Sequence, residues 1–250
     1  MRLTHGSVFS GVGGFELGAQ RAGIETLWNC ELQEFNRRIL KQHFPKSKQY
    51  EDITTLSHPE PVDIISGGFP CQDITSAWKE STGIVGSRSG LWGEFARIIH
   101  EGRPLYVVGE NSTDLTKRGF EKVLYDLSEI GYDAEWQCLS GTTFGVQQRR
   151  ERIYFIAYAR HLALQGQHTG PVFRQQELQE QLAGVYPGWL RRSDIPQPRT
   201  IRSADDVPHL VDRIKACGNA VMPLIAEYLF RCILSHYNRT TALCRNLSLN

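Results

Sequence analysis

Cys71 lies in the segment Gly68-Phe-Pro-Cys-Gln72, directly after Pro70 and a short apolar run from Val62 to Ser66. A free thiol with a pKa of about 8.5 is only a few per cent thiolate at neutral pH, so a nucleophilic cysteine needs a nearby cation or a coupled proton transfer. Taken alone, Cys71 reads as a structural cysteine, because unpaired cysteines are mostly small buried hydrophobes. Two further segments change that reading. Glu110 closes the apolar run in Leu-Tyr-Val-Val-Gly-Glu-Asn-Ser, and Gln148, Arg150 and Arg152 alternate in Gln-Gln-Arg-Arg-Glu-Arg-Ile-Tyr-Phe-Ile-Ala. If that last stretch is one strand, alternation places Gln148, Arg150 and Arg152 on one face and Arg149 and Glu151 on the other. A thiol, a carboxyl and two guanidiniums would then converge.

The elements needed to bring them together are legible as pattern. Short apolar runs at Leu3 to Phe9, Thr26 to Cys30, Val62 to Ser66, Leu105 to Gly109, Asp133 to Leu139 and Arg152 to Ala157 read as strands. Between them Phe15 to Ala22, Gln33 to His43, Leu91 to Glu101 and Phe120 to Ile130 carry apolar residues at three- and four-residue spacing, as helices do. Strands alternating with helices predict a doubly wound, mostly parallel α/β sheet, whose ligand crevice lies at the carboxyl ends of the strands. Cys71 and Glu110 both follow such ends, and they become neighbours if their strands pair. After residue 158 the alternation stops, and it recovers in a helix that begins near Pro223, a residue suited to a first helical position.

At the first strand's end, Gly11-Val-Gly13-Gly14 leads straight into a helix, a turn that lets backbone approach a ligand. The dinucleotide fingerprint requires a third glycine where this chain has Glu16, so NAD and FAD fit poorly and a smaller adenosyl ligand fits better. Glu31, twenty positions after Gly11, closes the second strand, where a carboxylate can accept hydrogen bonds from ribose hydroxyls. A glycine turn by itself also suits any tight strand-to-helix connection.

Composition bounds the remaining possibilities. The chain has 250 residues, enough for one full core and a small appended module. Its six cysteines form no Cys-x-x-Cys pair and have no His at zinc-ligand spacing, which argues against a disulfide framework and against a bound metal. No apolar stretch is long enough for a membrane helix and no signal peptide pattern opens the chain, so a soluble, cytoplasmic protein is expected. The net charge of +1 divides unevenly. Residues 1–146 hold 14 Lys/Arg against 19 Asp/Glu, whereas residues 147–215 hold 11 against 7. A swing of this size also arises from ordinary charge scatter.

The ordered series Ser-Val-Phe-Ser-Gly-Val-Gly-Gly-Phe-Glu-Leu-Gly, Glu31, Glu-Asp-Ile-Thr, Gly-Phe-Pro-Cys-Gln, Gly-Glu-Asn, the Gln-Arg-Arg-Glu-Arg strand and a final Asp-Arg-Ile-Lys-Ala-Cys-Gly-Asn-Ala-Val-Met-Pro resembles the DNA cytosine-5 methyltransferase family of bacteria and phages. The resemblance spans nearly the whole chain. It implies a Rossmann-like, S-adenosyl-L-methionine-dependent enzyme that methylates carbon 5 of a flipped cytosine in double-stranded DNA. It implies Cys71 as nucleophile, Glu110 as the residue that holds the base, and Gln148, Arg150 and Arg152 as their support. For the cofactor it implies Phe9, Ser10, Gly11, Gly13, Gly14, Glu31, Leu32, Asp52, Ile53, Pro70, Leu91, Asn219 and Val221, with the last helix packing beside the first. A monomer in a bacterial or phage-infected cell, with a possible partner restriction system, fits the same picture.

The expected organisation is a catalytic domain over residues 1–157, a target-recognition module over 158–200 and a return segment over 201–250. Within and near the module Arg174, Arg191, Arg192 and Arg199 could contact DNA, with Gln175 and Gln176 as adenine readers, although all could equally be solvated surface. The Gly-rich stretch after Cys71, with Lys79 and Arg88 for phosphates, has the composition of a closing lid, or of an ordinary surface loop. Two positions depart from the family pattern: Ser112 stands where Val is common, and Leu32 where an aromatic residue often follows the ribose-binding acid. Transfer RNA is an alternative substrate, though its subgroup's Cys-Phe-Thr is missing. A silent DNA-binding regulator on the same fold is another alternative, one that should have lost Cys71, Glu110 or the glycine turn.

Overall fold

The computed structural model describes residues 2–70, 90–117, 119–146, 148–163, 170–174, 212 and 219–247. Strand β1 (Thr4–Val8) leads through a glycine turn into helix α1 (Gly14–Arg21), followed by β2 (Glu25–Cys30), α2 (Glu34–His43) and the short β3 (Lys48–Tyr50). Then come β4 (Ile64–Gly68), α3 (Leu91–Gly102), β5 (Tyr106–Ser112), α4 (Phe120–Glu129), β6 (Tyr132–Ser140), β7 (Glu151–Ala159), a single turn α5 (Arg160–Ala163) and the long α6 (Pro223–Leu247). The seven strands form one sheet in the order β3-β2-β1-β4-β5-β7-β6. The first five strands in that order are parallel, and β7 inserts antiparallel between β5 and β6. This is the doubly wound, mostly parallel architecture that the sequence pattern predicts. Strand β3 has no apolar run of its own, so periodicity gives no sign of it.

Each face of the sheet carries its own core. On one side Val107, Ile153 and Phe155 pack with Trp92, Phe95, Ile98 and Ile99 of α3 and Val123 and Leu127 of α4. On the other, Ile64, Tyr106, Val108 and Ile156 pack with Phe15 and Ala19 of α1 and with Ile225, Leu229, Phe230 and Ile233 of α6. Strands buried on both faces read as continuous apolar runs, which is why the central ones were visible in the sequence. A polar cross-tie runs through the second face. His5, fully buried on β1, bonds Thr26 Oγ1 of β2 through Nδ1 (2.9 Å) and Ser66 Oγ of β4 through Nε2 (2.8 Å). Burial pushes its pKa down to about 3, so the imidazole stays neutral, with one nitrogen donating and one accepting.

The expected pairing of the last helix with the first is present, and two glycines make it possible. A Cβ at Gly14 would lie 2.3 Å from the carbonyl oxygen of Val221, and one at Gly18 would lie 2.5 Å from Cβ of Ala226 and 2.7 Å from the Glu227 amide nitrogen. The helices therefore touch backbone to backbone. Past residue 157, β7 continues to Ala159, and Val172 and Phe173 are buried in the second core. Among the described residues, no helix is long and apolar enough to cross a membrane.

Gly18→Ala should raise the intrinsic helix propensity of α1 by about 1 kcal/mol. We expect a net destabilisation of about 1–3 kcal/mol nonetheless, because the methyl group must push α6 away. Urea denaturation with a midpoint at or above wild type would contradict this close packing.

Candidate active site

The glycine turn after β1 is built on positive backbone angles. Phe9 has φ 53°, Gly11 φ 57° and Gly13 φ 94°. A non-glycine residue in that region costs about 1–3 kcal/mol, offset here by the surrounding packing and hydrogen bonds. The Ser10 amide donates to the Cys30 carbonyl (3.2 Å) and the Gly13 amide to the Ser10 carbonyl (3.0 Å), while the Phe9 ring meets Phe95 edge-on. Glu31, at the end of β2, accepts from the Gly11 amide (2.7 Å), the Gln33 amide (2.8 Å) and Asn36 Nδ2 (3.2 Å).

These residues fit an adenosyl ligand. A carboxylate offers about four acceptor positions, so the three bonds to Glu31 leave capacity for a ribose hydroxyl. A Cβ at Gly11 would meet nothing within 4 Å, so there is open space above the turn. Leu32, 63% exposed, presents apolar surface beside Glu31, as a flat base would require. Asp52 caps its own turn by accepting from the Thr54 amide (2.9 Å), and the carbonyl of buried Ile53 accepts from Arg97 of α3 (2.8 Å). Pro70 is exposed, Leu91 is half-buried at the start of α3, and Asn219 is exposed ahead of α6.

The chemical end of the crevice follows from strand register. Gly68 of β4 lies opposite Glu110 of β5, as expected if the two strands are neighbours. A Cβ at Gly68 would be 2.9 Å from Glu110 Oε2 and 3.7 Å from Val221 Cγ2, so the glycine opens the space that this carboxylate occupies. Glu110 is 8% exposed, and Arg152 Nε stands 3.2 Å from its Oε1. Burial raises the pKa of Glu110, and the Arg152 and Arg150 guanidiniums oppose that rise in part. Arg150 Nη1 donates to the Ala220 carbonyl (3.2 Å), and its buried Nε has no partner among the described residues. Residues 220 and 221 thus sit between the glycine turn on one side and the Glu110–Arg150 group on the other.

One expectation needs correction. Gln148, Arg150 and Arg152 do not share a strand face, because β7 begins only at Glu151. Its hairpin partner β6 runs out at Ser140, which pairs with Glu151, and a tight turn over Gly141–Phe144 follows. Alternation therefore places Arg152 alone. Arg150 arrives from the coil before the strand, and the exposed Gln148 packs its backbone against Gly141. The antiparallel sense of β7 is what makes this useful. It brings the entrance of β7 to the same edge of the sheet as the exits of β4 and β5.

Cys71, Lys79, Arg88, Arg191, Arg192, Arg199, Gln175 and Gln176 lie outside the described residues, as does the lid stretch before Gly90. Arg174 is described and exposed, with its guanidinium folded toward Gly170. Two contributors escaped the sequence reading. Asn111 donates from Nδ2 to the Phe69 carbonyl (2.9 Å), fastening the backbone two residues before Cys71 to β5. Glu16, fully buried in α1, takes a hydrogen bond from Ser7, whose hydroxyl also meets Ser10 in the glycine turn. Burial raises the pKa of Glu16, so this acid keeps its proton readily. The only signal for Glu16 was an acidic residue flanked by Phe15 and Ala19 on the apolar face of a short helix.

A doubly wound sheet with a glycine turn after β1, an acid just after β2 and a buried carboxyl near the end of β5 has the Rossmann-like architecture of the S-adenosyl-L-methionine-dependent methyltransferases. Residues 3–193 match the model of the C-5 cytosine-specific DNA methylases, and the chain belongs to that family. It is 34% identical over 159 residues to the type II methyltransferase M2.BsuMI of Bacillus subtilis (strain 168), covering 60% of this chain and 41% of that one. With M.NgoBI of Neisseria gonorrhoeae it shares 28% over 213 residues, or 81% of this chain and 66% of the relative. A crystal structure of a prophage-encoded DNA modification methyltransferase of E. coli superposes with a TM-score of 0.51 at 25% identity, over 64% of this chain and 48% of the other. The chain spans about half the length of the curated relatives it matches, for example 47% of M.NgoFVII of Neisseria gonorrhoeae.

Asn111→Ala should leave the buried Phe69 carbonyl without its donor and destabilise the fold by about 1–3 kcal/mol. Chemical denaturation measures this. A change below about 0.5 kcal/mol would mean that the β4 exit is held by other contacts.

Proposed function

We propose that this protein is a DNA (cytosine-5-)-methyltransferase that forms a covalent adduct between Cys71 and carbon 6 of a flipped cytosine. The observation that carries the reading is the β4–β5 register, which sets the buried Glu110 opposite Gly68, three residues before Cys71. S-adenosyl-L-methionine, when bound, supplies an electrophilic methyl group. Phe9, Ser10, Gly11, Gly13 and Gly14 would carry it with Glu31 and Leu32, and Asp52, Ile53, Pro70, Leu91, Asn219 and Val221 would complete the pocket.

Carbon 5 of cytosine is a weak nucleophile, and addition of a thiolate at carbon 6 pushes electron density toward it. Glu110, whose pKa burial raises, is protonated or shares a proton with ring nitrogen 3, and it neutralises charge that develops there as Cys71 adds. Its other oxygen accepts from the exocyclic amino group, so one residue selects the base and activates it. Arg152 orients the Glu110 carboxyl, and the Nε of Arg150, unpartnered among the described residues, offers a donor to a polar ligand atom. After methylation the carbon 5 proton leaves to water, the carbon 5–carbon 6 double bond re-forms, and the Cys71 sulfur is released as thiolate. Extruding the base from the duplex costs a few kcal/mol of unstacking, offset by contacts in the pocket.

Incubation with labelled S-adenosyl-L-methionine and either duplex DNA or transfer RNA tests the reading. Label should enter duplex DNA as 5-methylcytosine; no transfer to DNA would sink the proposal. Bisulfite sequencing of the modified DNA then gives the recognised site, and a restriction nuclease encoded beside the gene would place the enzyme in a restriction system. Cys71→Ser should abolish methyl transfer while DNA binding persists; turnover near the wild-type rate would remove the covalent mechanism. The pH profile tests Glu110 separately. Because burial raises its pKa and the protonated form is the active one, the rate should fall as pH rises through that value. Glu110→Gln should lower the rate and remove that alkaline limb, with cofactor affinity little changed.

A further inference from the structure

Glu135 sits on β6, one of the two edge strands of the sheet. Its Oε1 accepts the Val172 amide (2.8 Å) and its Oε2 the Phe173 amide (3.2 Å), so one carboxylate holds two consecutive backbone donors. Neither residue lies in a strand or helix, so these amides have no ladder to satisfy them. The segment is fixed from a second side as well. Arg239 of α6 donates from Nη2 to the Pro171 carbonyl (3.1 Å), and Val172 is fully buried, with the Phe173 ring 6.4 Å from that of Tyr228. The Gly170 turn, with φ 73°, folds the Arg174 guanidinium back over itself.

We propose that Glu135, assisted by Arg239, is a positioning residue for DNA: it fixes where the chain leaves the catalytic sheet at Arg174. The inference rests on the DNA methyltransferase reading above and takes the exposed Arg174 as a DNA contact. A carboxylate spread across two successive amides fixes both the place and the direction of the backbone, which a single hydrogen bond or an apolar contact does not. Without it the chain can still bury Val172, but the exit at Arg174 samples several directions. If one-tenth of the molecules then hold the competent direction, apparent DNA affinity falls about tenfold. Glu135 touches neither the glycine turn nor Glu110, so the chemistry and cofactor affinity should be untouched.

The test compares wild type, Glu135→Ala and Glu135→Gln in the full chain, by steady-state methyl transfer, cofactor binding and amide hydrogen exchange. We expect Glu135→Ala to raise KM for duplex DNA about tenfold, with kcat and cofactor affinity within about twofold of wild type. Exchange at Val172 and Phe173 should accelerate. Glu135→Gln, which keeps one acceptor oxygen and the side-chain volume, should fall between, and it serves if Glu135→Ala fails to fold. Unchanged exchange in a folded variant would overturn the anchor. Accelerated exchange with unchanged KM would overturn its role in placing DNA, as would a parallel loss of cofactor affinity. A wild-type enzyme that methylates no DNA removes the underlying reading, and that failure is visible before any variant is made.

Discussion

A carboxyl group withdrawn from water must keep its proton or find a cation, and Glu110 is arranged so that both are at hand. Most of the crevice can be derived from that requirement. Gly68 lacks a side chain because the carboxyl occupies its space, Val221 closes the same space from the far end of the sequence, and Arg152 stands at ion-pair distance. The guanidinium could not arrive there on a parallel strand, whose entrance lies at the opposite edge of the sheet. The reversal of β7 is thus tied to the chemistry rather than being an irregularity at the end of a parallel sheet.

Much of this was legible in the sequence. The apolar runs of β1, β4, β5 and β7 are largely buried strands, and the carboxyl ends of β1, β4 and β5 mark the crevice without further information. The glycine turn was legible because a turn built on positive φ angles favours particular residue types, and Glu31 by its place at the end of the second strand. What stayed hidden has physical causes. β3 has three polar or aromatic residues and borrows its regularity from β2, so it leaves no periodic trace. The apolar run from Arg152 marked β7 closely, but the alternation does not extend back to Gln148 and Arg150, because the hairpin ends at the Ser140–Glu151 pair. Asn111 and Glu135 act on backbone groups far away in sequence, and such bonds leave no pattern in the residues that receive them.

Buried polar groups elsewhere divide by purpose. His5 satisfies both ring nitrogens and ties three strands, which makes it a structural residue despite its chemistry-bearing type. Glu16 instead retains an oxygen without a partner among the described residues, beneath the glycine turn. The difference shows why residue type alone is a poor guide in this fold, and why the satisfied or unsatisfied state of each buried atom says more.

The docking of α6 on α1 also sets an order of events in the cell. Helix α1 is made first, and its Phe15, Gly14 and Gly18 surface has no cover until α6 emerges some two hundred residues later. At typical synthesis rates that interval is on the order of 10 to 40 seconds. During it the nascent chain carries the glycine turn and the strand that bears Glu110, but not the segment that joins them. The young polypeptide would therefore lack the closing side of its crevice until Pro223–Leu247 has left the ribosome, while its exposed apolar stripe makes it a client for chaperones.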